Sequence, residues 1–232
     1  CLPARPRAPQ ARRAARARVL VVVGTDTGVG KTVISALLAR ALRAAGPLRY
    51  WKPVQTGDDD DTLTVATLAE LGSGEQVAPL YRFPLPASPH AAAEAAGARI
   101  DPQRLLERLF ELRDDPTRGT LLVELAGGLL VPLDERTTQA DLLARAGAEL
   151  VLVARSGLGT LNHTLLTLEA LRARSLEPRA LFLVGPRHAS NPRALRERAQ
   201  VPAIVEVPPF EPLDARAVAT WTREHPLAEY LP

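Results

Sequence analysis

The chain has 232 residues, a formal net charge of +3, and one cysteine, at its first position. A single cysteine excludes a disulfide framework and fits a reducing cytoplasm, and no run approaches the roughly 20 apolar residues of a membrane span. The positive excess is local: residues 1–18 carry six arginines and no acid, so residues 19–232 hold 23 basic and 26 acidic side chains, a balance that argues against nucleic-acid binding.

Residues 1–18, "CLPARPRAPQARRAARAR", mix Pro, Ala and Arg without apolar periodicity. They read as a disordered leader lacking the apolar segment of a secretory signal; a wrongly called start, an expression scar and a targeting arm are the other readings. Residues 19–232 read as one α/β unit. It opens with "VLVVVGTDTGVGKT", a strand at 19–23 followed by small residues and then a helix. The strict G-x-x-x-x-G-K-[ST] pattern would place a glycine at Thr25; here it is Gly24, so the loop is one residue longer. Backbone amides at Thr27, Gly28, Val29 and Gly30, at the positive end of a helix dipole, suit a phosphate. Lys31 adds a point charge, and Thr32 offers a hydroxyl to Mg²⁺. An ordinary strand-to-helix turn is the bland alternative.

The helix at 31–45 shows apolar residues at Val33, Leu37 and Ala41, and again at Ile34, Leu38 and Leu42, before Gly46-Pro47 stops it. A strand at 48–52 then delivers Lys52 in "YWKPVQTG". Lys31 and Lys52 are the chain's two lysines against 27 arginines. Arginine serves on a solvated surface, but a compact ammonium fits better among phosphate oxygens. Both lysines are expected at the ends of strands that neighbour each other in a parallel sheet; a surface strand-end cation is the alternative for Lys52. In "GDDDDTLTVATLA", Asp61 precedes a helix at 62–71 and is a candidate both for its cap and for a metal ligand.

Residues 77–101, with "PLPASPH", read as an active-site excursion, followed by a helix at 102–113. A strand at 120–124 ends on Glu124, and "AGGLLVP" follows; an acid there can hold Mg²⁺ or its waters, or can be a solvated strand end. Thr32, Asp61 and Glu124 are hard oxygen donors suited to Mg²⁺. Next come a helix at 139–146 and a strand at 149–154. "SGLGTLNHT" (156–164) exposes amides suited to a carboxylate and opens a helix at 161–174. A strand at 179–184, a helix at 192–199, a strand at 203–207 and a helix at 213–223 complete the pattern. His90 and His163 are isolated, without metal-ligand spacing, and read as structural or polar-contact residues. Runs such as "LVLVA" and "ALFLV" are apolar on both faces, as buried parallel strands are. The fold class is therefore a doubly wound, mostly parallel sheet with helices on both faces, of P-loop NTPase type, with its site at the carboxyl ends of the strands.

Taken in order, "GTDTGVGKT", "KPVQTG", the aspartate before the next helix, "SPH", "VELAGGLLVP" and "GTLNHT" resemble the dethiobiotin synthetase family over about residues 19–170. The resemblance implies an ATP- and Mg²⁺-dependent ligase of biotin biosynthesis, a cytoplasmic homodimer with its site at the subunit interface. In it, 7,8-diaminononanoate and CO2 form a carbamate, ATP phosphorylates it, and the second amine closes the ureido ring. Lys31 and Lys52 would be catalytic, with Lys52 between carbamate and γ-phosphate. Thr32, Asp61 and Glu124 would bind Mg²⁺, and Thr56 would contact the carbamate or an amine. Gly159, Thr160 and Asn162 would take the substrate carboxylate across the interface. Gly127 would line the nucleotide, and Gly185, Pro186, Pro208, Pro209 and Phe210 its base. Three departures stand out: Leu125 where the family has glycine near the phosphates or substrate, Gly28 where it often has Glu, and Gly185-Pro186 where some members read adenine with an Asn-Asp pair. The last implies weaker discrimination among nucleoside triphosphates. A ParA/MinD-like switch ATPase is the alternative, but Asp26 stands where those proteins usually carry an additional lysine. An amide synthetase of the cobyrinate type would need a glutaminase domain and a nucleophilic cysteine.

Overall fold

The computed structural model describes residues 17–115, 119–227 and 230. In chain order the elements are β1 (Val19–Gly24), α1 (Lys31–Ala45), β2 (Leu48–Trp51), β3 (Val54–Thr56), α2 (Asp61–Ala69), β4 (Gln76–Val77), β5 (Tyr81–Phe83), α3 (Pro89–Ala95) and α4 (Pro102–Arg113). There follow β6 (Thr120–Gly128), α5 (Gln139–Ala146), β7 (Glu149–Arg155), α6 (Thr160–Arg172), β8 (Leu181–Val184), α7 (Asn191–Arg198), β9 (Ile204–Val207) and α8 (Ala215–Glu224). Seven strands form one parallel sheet in the order β4-β2-β6-β1-β7-β8-β9, and β3 pairs with β5 in a separate parallel pair.

Strand alternation divides the interior into two layers. Leu20, Val22, Tyr50 and Leu122 face α1, α2 and α8; Val21, Trp51, Val123 and Leu125 face α4, α5, α6 and α7. Both faces are covered, which is why the strands are near-continuous aliphatic runs.

Three expectations need correction. β1 and β2 are not neighbours: β6 lies between them, pairing with both. Chain order does not set spatial order in a doubly wound sheet, because each crossover can step over a position that a later strand fills. The excursion at 77–101 is partly regular, since β5 pairs with β3 and α3 packs beside β3. The leader gives way to the packed body before residue 19: Ala17 is buried and its N–H donates to Arg113 O at 2.8 Å, while Arg18 O accepts from Leu121 N at 2.8 Å. Residues 1–16 of that leader, with Cys1, lie outside the described residues.

Candidate functional site

The loop from β1 to α1 closes on Gly30, which has φ 96° and starts α1 with no side-chain cap, so the first amides of the helix face the loop. A Cβ at Gly30 would stand 2.7 Å from Val184 Cγ1, at the end of β8. At Gly24 a Cβ would come within 2.8 Å of Lys31 Nζ and 2.9 Å of Asp26 O. Both glycines are thus fixed by close approach. Lys31 Nζ donates to Asp26 O at 2.8 Å. Burial and the nearby Lys52 ammonium pull the Lys31 pKa down to about 8, although the Glu124, Asp61 and Asp26 charges oppose them. Val29 turns its side chain into the core, leaving its backbone to the loop.

Lys52 follows β2 and meets residues from two other elements. Its Nζ lies 2.8 Å from Asp61 Oδ2 and 2.8 Å from Glu124 Oε1. Thr32 Oγ1, at the start of α1, lies 2.9 Å from Asp61 Oδ1 and 3.1 Å from Glu124 Oε1, one proton serving two acceptors. Lys52 is 4% and Glu124 0% exposed. Burial works against charge on Lys52, but the Glu124 and Asp61 carboxylates outweigh it and raise its pKa. Burial likewise opposes ionisation of Asp61, and Lys52 and Thr32 outweigh it, lowering its pKa. Buried ions persist only when paired in this way.

Asp60 and Asp61 divide the two roles expected of Asp61 alone. Asp60 Oδ1 caps α2 by accepting from Leu63 N at 2.9 Å, which leaves the Asp61 carboxylate to Thr32 and Lys52. The Asp61 N–H donates to Gln55 Oε1 at 3.3 Å. These groups form the floor of a cleft of about 840 Å³, with Thr27, Gly28, Thr56, Asp58, Ser88 and Gly127 around its walls.

Glu124 is the last residue of β6 in regular register with β1, and an irregularity follows it. Val22 pairs with Glu124 and Gly24 with Gly128, so three residues of β6 oppose one of β1, a bulge at the site. Gln139 braces it, accepting from Ala126 N at 3.1 Å and donating to Gly128 O at 3.0 Å. Leu125, expected near the phosphates or substrate, instead packs into the opposite layer with Leu105, Leu109 and Leu142. Successive strand residues face opposite sides, so the neighbour of a cleft-facing Glu124 belongs to the core. Gly28, with φ 68°, has open space where a Cβ would be.

A second cleft of about 470 Å³ lies at the ends of β7, β8 and β9, lined by Ser156, Gly185, Pro186, Pro208, Trp221 and His225. Ser156 Oγ donates to Pro186 O at 2.7 Å, and a Cβ at Gly185 would stand 2.7 Å from that hydroxyl. His225 stacks on Trp221 at 4.4 Å, and Phe210 meets Trp221 edge-on at 6.5 Å. Pro209 is exposed and does not line this cleft.

Gly159, Thr160 and Asn162 stand apart from both clefts. Gly159, with φ 88°, starts α6 and is exposed, as is Asn162. Thr160 is buried, its Oγ1 3.3 Å from Thr164 Oγ1. Leu158 beside them is 97% exposed. His90 and His163 are both exposed, and His90 Nδ1 lies 3.1 Å from Ser88 Oγ. Among the described residues no cluster of three or more His, Cys, Asp or Glu side chains is placed to hold a metal, and no helix is long and apolar enough to cross a membrane.

Sequence reasoning missed Tyr50, whose hydroxyl donates to Glu124 Oε2 at 3.0 Å. Burial and the Glu124 and Asp61 charges raise its pKa well above the usual range, so it stays protonated. The available signal was its place two residues before Lys52, which puts both on the same side of the strand.

The family described as an AAA domain matches residues 18–217. The biotin biosynthesis bifunctional protein BioCD of Bordetella avium is 45% identical over 92% of this chain, which spans 44% of that longer protein. The ATP-dependent dethiobiotin synthetase BioD of Rhodopseudomonas palustris is 44% identical over 91% of this chain and 96% of its own length. Among solved structures, the cell division ATPase MinD of Pyrococcus furiosus superimposes with a TM-score of 0.57 at 19% identity, covering 92% of this chain and 94% of that one. This last likeness is one of fold.

Proposed function

The chain belongs to the ATP-dependent dethiobiotin synthetase family, and from that membership we propose that it makes dethiobiotin from 7,8-diaminononanoate, CO2 and ATP in biotin biosynthesis. One observation supports this most: Lys31, Lys52 and Thr32 converge with Asp61 and Glu124 on the floor of one cleft. A carbamate and ATP are both anions, and a fixed cluster of cations lets them meet.

One amine of the substrate adds to CO2 and loses a proton, giving the carbamate. A carbamate oxygen attacks the γ-phosphorus and ADP departs, leaving a carbamic–phosphoric anhydride. The second amine attacks the carbamoyl carbon, phosphate leaves, a proton is released and the ring closes. The chain supplies no nucleophile; its task is placement and charge. Lys31 holds the β- and γ-phosphates with the amides of residues 27–30, and Lys52 stands between carbamate and γ-phosphoryl group. Thr56, on the cleft wall, contacts the carbamate or an amine.

Thr32, Asp61 and Glu124 would hold Mg²⁺, a set of hard oxygens meeting within 3.1 Å of the Thr32 hydroxyl. That ion supplies charge neutralisation on the phosphate oxygens. The Lys52 ammonium between the same two carboxylates marks the position as one built for positive charge. The second cleft takes the nucleotide base, with Gly185, Pro186 and Pro208 on one side and Trp221, backed by Phe210, on the other. In a cytoplasmic homodimer, Gly159, Thr160 and Asn162 of one protomer bind the substrate carboxylate in the other's cleft. The exposure of Gly159 and Asn162 beside Leu158 supports this placement. Residues 19–232 act as one synthetase unit.

Phosphate release from ATP, measured with and without diaminononanoate and bicarbonate, tests the reading. Release that requires both co-substrates is expected; equal release without them overturns it and favours the ParA/MinD-like switch.

A further inference from the structure

Glu124 is a carboxylate at a crowded junction, and its two oxygens face different surroundings. Oε1 meets Lys52 Nζ at 2.8 Å and Thr32 Oγ1 at 3.1 Å, on the floor of the cleft. Oε2 points the other way, into the layer beneath α1, and accepts from the Tyr50 hydroxyl at 3.0 Å. Tyr50 is 0% exposed and packed in the same layer as Leu122 and Val151. Its ring is therefore held, and the hydroxyl it presents does not wander. The pairing of β2 with β6, Tyr50 with Leu122 and Trp51 with Val123, fixes that hydroxyl relative to Glu124 through the backbone.

We propose that Tyr50 is a positioning residue of the synthetase reaction, anchoring Oε2 of Glu124 so that Oε1 is the oxygen offered to the cations of the cleft. Without that hydroxyl, Oε2 lies in an apolar layer with no donor, and a buried acceptor left unmade is costly. The carboxylate then rotates to bring both oxygens toward Lys52 and Thr32. Lys52 is held more tightly in the ground state, and the metal-binding oxygen loses its orientation. Groups that orient a metal ligand typically change affinity or activity by about 10- to 100-fold when removed.

This inference rests on the reading of Glu124 as a Mg²⁺ ligand, and the test separates the two. ADP binding to the full chain is titrated with and without Mg²⁺ for the wild type, Tyr50→Phe, Glu124→Gln and the double variant, alongside steady-state kinetics. If the wild type gains no ADP affinity from Mg²⁺, the metal reading fails and this inference with it. If it does gain, Tyr50→Phe is expected to lose about tenfold of that gain, with Mg²⁺-free ADP affinity within about twofold of wild type. Its kcat should fall by a similar factor, with little change in KM for the diamine. The double variant should lose nothing beyond Glu124→Gln, which holds even where Tyr50→Phe lowers stability. An unchanged Mg²⁺-linked gain, an equal loss with and without the ion, or additive losses in the double variant would each overturn the inference.

Discussion

At the ends of β1, β2 and β6 charged side chains meet: Lys52, Asp61 and Glu124 pair with one another and with Thr32, and the buried Lys31 stands beside them on the Asp26 carbonyl. At the ends of β7, β8 and β9 the same edge of the sheet carries small groups such as Gly159, Gly185 and Pro186, and charged side chains that are exposed, among them Arg155, Arg187 and Glu224. The first half is held together by its own side-chain contacts. The second offers shape and backbone, and in the proposed homodimer its Gly159–Asn162 segment serves the other protomer's cleft. A site that must stabilise developing charge benefits from fixed dipoles and ions. One that sorts ligands by size does not need them.

The comparison is most sharply broken at Lys52. Lys52→Arg keeps a positive charge but replaces a compact ammonium with a planar fork. Its kcat is expected to fall by about 10²–10³-fold, with ATP affinity within a few-fold of wild type, read by steady-state kinetics and calorimetry. Near-normal turnover would remove Lys52 from the chemistry. Leu125→Ala probes the core under the same half and should cost about 2–5 kcal/mol in chemical denaturation, with kcat nearly unchanged in the folded protein. A rise in activity without loss of stability would place Leu125 in the cleft after all.

The charged half also has a pH signature. In the proposed reaction the ammonium form of Lys31 holds phosphate, and burial pulls its pKa down to about 8. Below that pH the group is already protonated and affinity is flat. Above it one proton must be taken up with each nucleotide, so ATP affinity should fall by up to about tenfold per pH unit. Calorimetry in buffers of different ionisation enthalpy reads that uptake; a flat profile to pH 9.5 would count against it. The smallest expected effect belongs to the half at β7, β8 and β9: in competition at equal concentration, ATP should be preferred over CTP and GTP by less than about tenfold, a factor worth roughly 1.4 kcal/mol. A larger preference would mean that the second cleft reads base edges by hydrogen bonding.

The charged half was also the more legible one. Lys31, Lys52, Asp61 and Glu124 each close a strand or open a helix in the sequence, and the shortage of lysine singled two of them out. The helices at 31–45 and 139–146 were bounded where α1 and α5 lie, because their apolar spacing ends at a glycine in each case. β3 and β5 were not legible: three residues are too few for a period to show. α3, "PHAAAEA", is rich in alanine and has little apolar contrast. The insertion of β6 between β1 and β2 is a property of tertiary packing. Tyr50 was hidden because an aromatic residue in an apolar strand reads as core, which its ring is; its hydroxyl acquires a role only from the register with β6.

The contact of Lys31 with Asp26 O bears on how nucleotide enters. This carbonyl orients the ammonium, and the loop curls around it. In the proposed reaction an arriving phosphate swaps one acceptor for another instead of ordering a floppy segment. Association should therefore be governed by diffusion and attraction rather than by a slow rearrangement of the chain.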